Sequence, residues 1–170
     1  MPVTLHESGH IAVMLFSGIQ IREITLLPCG LEISAKKMMT YRQETAVALA
    51  GPLLGLLFSL FALPFALRGN IPGFSGNIQD KIGLFARNGI MYSVFNMLPM
   101  SGLDGYVFIS SLLKRKIDIT KAERVCGALN AASLALILTL SMAVLIFTRY
   151  NISLLLFTAY IFSTALFRKN

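Results

Sequence analysis

The sequence predicts an all-α integral membrane protein: a bundle of about five membrane helices, with a small β-hairpin after the first helix and a broken fourth segment. Three observations predict it. Hydrophobic residues make up 55% of the 170 and charged residues 14%, where a soluble domain carries about 25% charged residues. Mean hydropathy is +0.70. Uncharged runs at 46–67 and 125–148 each reach the roughly 20 residues that cross hydrocarbon.

The elements follow in order. Residues 3 to about 20 make the first helix. The stretch "IREITLLPCGLEISAKK" alternates on both sides of Pro28–Gly30 and reads as a hairpin at the membrane surface. The second helix is the run "AVALAGPLLGLLFSLFALPFAL". Residues 69–80, rich in Gly, Asn and Pro, read as a loop. Residues 88–113 hold a single charge, Asp104, and are interrupted by Pro99, Gly102 and Gly105. Such a segment reads as a discontinuous membrane helix. A basic connector at 114–124, the run 125–148 and a shorter span at 152–167 complete the chain.

The net charge of +7 does not point to nucleic acid. The basic residues fall between apolar runs and form no face with interleaved aromatics. The hairpin and its flanks hold Arg22, Lys36, Lys37 and Arg42; the connector holds Lys114, Arg115, Lys116, Lys121 and Arg124; the C-terminus holds Arg168 and Lys169. Those lie on one side if the spans alternate, with Arg68, Lys81, Arg87 and Arg149 on the other. The positive-inside rule then puts the hairpin, the connector and the C-terminus in the cytosol. The first helix enters from outside and finishes inside. No cleavable signal peptide is expected from "MPVTLHESGH", which lacks a basic n-region. Cys29 and Cys126 match no zinc or redox spacing and read as plain thiols.

The chemistry is concentrated at "HESGH". His6 and His10, both of the chain's histidines, stand at i and i+4 and share a helix face. Two such imidazoles can ligate one metal ion, and Glu7 beside them can serve as general base. Zinc lowers the pKa of bound water to about 7, and this donor set suits zinc best. The bland alternative is two interfacial histidines and a solvated glutamate; ionisable groups inside a span are costly and usually functional. A catalytic zinc takes three protein ligands. The third must be a carboxylate or thiolate, and Asp104 is the favoured candidate, since a metal compensates an otherwise expensive charge in an apolar stretch. Helix N-capping is the other role open to Asp104. Cys29 and Cys126 are weaker candidates.

"HESGH" followed some ninety residues later by "NMLPMSGLDGY" resembles the site-2 protease family of intramembrane zinc metalloproteases (peptidase family M50). Asn96, Pro99, Leu103, Asp104 and Gly105 match that family's N-x-x-P-x-x-x-L-D-G signature, and "AGPLLG" at 50–55 looks like its A-G-P segment. "IREITLLPCG" resembles the hairpin of the branch that includes the stage IV sporulation factor-processing protease. The resemblance implies His6, His10 and Asp104 as zinc ligands and Glu7 as catalytic base. It implies a single membrane-embedded peptidase domain over 1–170, with a catalytic core at about 3–115 and additional helices at about 122–167. The substrate is then a membrane-embedded or membrane-associated protein, the active site faces the cytosol of a bacterial cell, and a regulatory membrane partner is possible. Asn96 and Pro99 are the candidate substrate-binding residues. Asn96 can donate to a substrate carbonyl or a developing oxyanion, or satisfy backbone groups freed by Pro99. The hairpin can add a strand to an unwound substrate.

The sequence departs from the family pattern in places. Gly55 stands where Asn is frequent after A-G-P, Met100 and Ser101 where prolines are common, and Tyr106 where a second glycine is common. Only "MPVTL" precedes His6, which is about 7.5 Å of helix, so the N-terminus is expected to be truncated relative to the family. The competing function is a catalytically inactive or truncated membrane scaffold that binds substrate without cutting it. A membrane metal carrier would need further ligands along its path, and there are no further histidines to supply them.

Overall fold

The computed structural model describes residues 2–27, 30–68 and 76–148, together with Leu156 and Ala159, both helical. The rest of the expected span at 152–167, the hairpin positions Pro28 and Cys29, and residues 69–75 lie outside the described residues. Chain contacts divide the protein into two compact units, Met1–Met97 and Leu98–Asn170.

The first unit holds α1 (Pro2–Phe16), β1 (Ile21–Leu27), β2 (Gly30–Ala35), α2 (Tyr41–Leu67) and α3 (Gly76–Asn96). Helix α1 stops earlier than the sequence predicts, because Gly18 takes a left-handed φ of 67° and turns the chain into the hairpin. Strands β1 and β2 pair antiparallel, with Ile24 opposite Ile33, as the alternation predicts. Helix α2 begins five residues ahead of its apolar run, at Tyr41. A reciprocal capping box explains the early start: Thr40 accepts from the Gln43 backbone N–H, and Gln43 Oε1 accepts from Thr40 N.

Small residues set the packing of this unit. Ala48, Gly51, Gly55 and Ser59 form the buried stripe of α2. A Cβ on Gly9 of α1 would sit 2.6 Å from the Ala50 carbonyl oxygen, so only glycine permits this approach of α1 and α2. Across α2 and α3, Gly55 faces Ser93 and Gly89 faces Ser59, an antiparallel register. This small-on-small contact brings backbones close without large apolar side chains.

Helix α3 corrects two expectations. Residues 76–80, expected in a loop, are helical, and α3 carries Asp80, Lys81 and Arg87 ahead of the segment expected at 88–113. Its packed face is Gly83, Ala86, Gly89 and Ser93, while Leu84, Met91 and Val94 are exposed. Such a face has no hydrophobic period to read.

The second unit holds α4 (Asp104–Lys114) and α5 (Ile119–Thr148). The predicted break in the 88–113 segment is present: α3 ends at Asn96 and α4 begins at Asp104. Gly102 supplies a left-handed φ of 98° in the turn, and Asn130 Oδ1 on α5 accepts from Ser101 N at 2.8 Å. Asp118 caps α5: its carboxylate accepts from the Thr120 backbone N–H and from the Thr120 hydroxyl. Of the helices described, α2 and α5 are long and apolar enough to cross a membrane. Helices α1, α3 and α4, at 15, 21 and 11 residues, do not combine the length and apolarity of a span, so among the described residues two of the expected membrane helices meet this criterion, and the expected span at 152–167 falls largely outside them.

Candidate metal centre

Helix α1 carries His6 and His10 one turn apart and buries both, at 1% and 8% exposure. Glu7, on the same turn, is 6% exposed. Three ionisable side chains buried on one turn of an apolar helix are costly unless their charges and hydrogens are matched.

The two imidazoles converge. His10 Nε2 lies 3.2 Å from His6 Nε2, and the rings meet edge to face with centroids 4.9 Å apart. His10 Nδ1 lies 2.7 Å from the Val47 carbonyl oxygen on α2. A carbonyl only accepts, so Nδ1 carries the hydrogen and Nε2 of the neutral ring presents a lone pair. A backbone carbonyl holding the far nitrogen of a ligating histidine is the common way to fix its tautomer and orientation.

Gly51 makes room for this. A Cβ there would overlap the His10 ring at Nε2, so the glycine of the A-G-P segment is what lets the ring lie across α2. Pro52 follows it and has no N–H for the Ala48 carbonyl one turn back. Tyr92 on α3 closes the far side of His6, its ring edge-on at 4.9 Å between centroids. Two nitrogen donors aimed at one point, one with its tautomer fixed, fit a divalent metal of the zinc type.

The other predicted site residues are placed as follows. Asn96 closes α3, 7% exposed, and its Nδ2 donates to the Tyr92 carbonyl at 3.1 Å. Pro99 lies half-buried in the turn that follows, in the second unit. Asp104 is the first residue of α4 and half-buried. The N-cap position belongs to Leu103, which makes no side-chain cap bond. Capping in the strict sense is therefore not the role of Asp104, although a carboxylate in the first turn still favours the helix dipole. Cys126 is a buried free thiol on α5; Cys29 lies outside the described residues. Val47, Tyr92 and Ser93 border the histidines without a sequence signal. Val47 acts through its carbonyl, which no side-chain pattern reveals.

The chain is 28% identical over 140 residues to a zinc metalloprotease of Methanocaldococcus jannaschii, covering 81% of this chain and 39% of that protein. It is 29% identical over 124 residues to stage IV sporulation protein FB of Bacillus subtilis, covering 72% of this chain and 41% of the relative. It thus spans about two fifths of the length of both curated relatives. A solved structure, the site-2 protease from Methanocaldococcus jannaschii, shares the fold with a TM-score of 0.64 at 24% identity, over 96% of this chain and 72% of that one. No family model matches the chain. The resemblance to the site-2 protease family read from the two motifs therefore holds in sequence and in fold.

Proposed function

We propose that this protein is an intramembrane zinc metalloendopeptidase that hydrolyses a peptide bond of a membrane-embedded or membrane-associated protein. The observation that carries this reading is the convergence of His6 Nε2 and His10 Nε2 at 3.2 Å, with Glu7 on the same buried turn. The zinc metalloprotease relative of Methanocaldococcus jannaschii supports the metal and the reaction class. His6, His10 and Asp104 are the ligand set, and the polypeptide from about 3 to 115 is the catalytic core of one peptidase domain. Zinc, when bound, supplies Lewis-acid polarisation of the scissile carbonyl and acidifies water.

The chain's own residues do the rest. Glu7 takes the proton from the attacking water and returns it to the leaving amine, a role its carboxylate performs best when shielded from bulk solvent. Val47 holds His10 through Nδ1–H. The irregular backbone from Met97 to Leu103 offers polar groups to an unwound substrate, and Asn96 and Pro99 flank its path. The bilayer is the medium: α2 and α5 are long enough to span it, and Leu57, Phe61, Leu136 and Ile146 are exposed on them.

The test is cleavage of a membrane-protein substrate by wild type and Glu7→Gln, each assayed for bound zinc. Wild type is expected to cleave. Glu7→Gln is expected to keep its zinc and lose about 10²–10⁴-fold in rate, the size of a general-base contribution. Equal turnover by both removes Glu7 from the chemistry; zinc-loaded wild type that turns over nothing leaves a substrate-binding scaffold.

A further inference from the structure

We infer that Ser93 is a positioning residue for the metal ligand His6, its hydroxyl accepting the His6 Nδ1 hydrogen directly or across one water molecule. The inference rests on the metal centre proposed above and adds a member from α3.

Ser93 is 3% exposed, and its buried Oγ has no hydrogen-bond partner among the described residues. The other buried serines differ. Ser59 donates to the Gly55 carbonyl, Ser111 to Phe108 and Ser141 to Ile137, each back into its own helix. That local bond is the ordinary solution for a helical serine, and Ser93 does not take it. A buried hydroxyl left without a partner is destabilising, so its retention calls for a partner that belongs to the working state.

Position decides which partner. A Cβ built on Gly55 would touch Ser93 Oγ at 2.6 Å, His6 Cβ at 3.7 Å and His6 Nδ1 at 3.8 Å. One small space, kept open by the missing side chain of Gly55, therefore borders both the serine hydroxyl and the far nitrogen of His6. A histidine that ligates through Nε2 carries its hydrogen on Nδ1, and that hydrogen needs an acceptor. His10 has one in the Val47 carbonyl. Ser93 Oγ, with two lone pairs and no competing helix bond, is placed to do the same for His6. Each ligand is then steered from a different helix: His10 from α2, His6 from α3.

The experiment measures zinc affinity by chelator competition, and the visible spectrum of the cobalt-substituted protein, in detergent-purified full chain. The variants are Ser93→Ala, Ser93→Ala/Gly55→Ser, His6→Ala and His10→Ala. Ser93→Ala is expected to bind zinc about 10–100-fold more weakly, the usual effect of losing such a partner, and to shift the cobalt bands. Its metal-free melting temperature should hold or rise, because an unsatisfied hydroxyl has been removed. The double variant moves the hydroxyl to position 55, where Cβ lies 3.8 Å from His6 Nδ1; it is expected to recover most of the lost affinity. Wild-type affinity and spectrum in Ser93→Ala overturn the inference, and so does a loss that the double variant leaves in place. If wild type binds no zinc, or binds it equally without His6 and His10, the metal centre itself is wrong, and that result is distinct from either.

Discussion

At the scale of the residue, the proposed metal centre depends as much on what is missing as on what is present. Gly51 has no side chain where a methyl group would overlap His10 Nε2. Gly51→Ala must push the ring off the Val47 carbonyl or part α1 from α2. Overpacking of this kind costs about 1–3 kcal/mol, and here the cost falls on a proposed ligand. Zinc content per chain, read by elemental analysis, is expected to fall well below wild type while the helical circular dichroism persists; full zinc occupancy would show that His10 has another way to sit. The histidines and Glu7 were legible in the sequence because their chemistry lies in side chains at helical spacing. Asp104 stood out as the one charge in an apolar stretch. The Val47 carbonyl was not legible, since any residue type carries one. Nor was Ser93, because one serine among many in apolar helices carries no signal until its missing hydrogen bond is seen.

Elements show a different boundary between what sequence reveals and what it hides. The hairpin was legible from alternation, and the break before α4 from Pro99 and its glycines. Helix α3 was legible only in its second half. Its packed face is Gly83, Ala86, Gly89 and Ser93, while Leu84, Met91 and Val94 are exposed, so hydrophobic periodicity does not mark the packed side. Helix α5 repeats the pattern in part, burying Ala122, Cys126 and Ser141 along with Ile137. Its start rests on Asp118, whose pKa the Thr120 hydroxyl holds below the usual 3.8, assisted by backbone N–H groups of the first turn. A depressed folded-state pKa means the carboxylate steadies the helix start fully above 3.8 and loses that effect as pH falls through the folded value. Amide protection at Ile119–Ala122, measured by hydrogen exchange, should therefore weaken below pH 3.8, and Asp118→Ala should abolish that pH dependence. Unchanged dependence in the variant would assign the effect to another group.

For the whole molecule, the residues that face outward decide the medium. The buried polar set includes His6, Glu7, His10, Ser59, Ser93, Asn96, Ser111 and Ser141, while Leu57, Phe61, Met91, Leu136 and Phe147 are exposed. In water this inversion would expose large apolar surface and invite aggregation; in hydrocarbon it costs nothing and leaves small residues to pack the helices. The protein is therefore expected to stay in the membrane pellet through alkaline carbonate extraction. The orientation expected from the lysine and arginine distribution can be read in bacterial cells with single cysteines in a Cys29→Ser, Cys126→Ala background. Lys37→Cys beyond the hairpin and Lys116→Cys before α5 should react with a membrane-impermeant maleimide only after the cells are permeabilised. Lys81→Cys on α3 should react in intact cells. The reverse pattern would turn the protein over and place the hairpin outside. Labelling of all three in intact cells, with release by carbonate, would remove the bilayer from the mechanism and leave Glu7 to act at a surface, where its water is bulk water and its burial would need another cause.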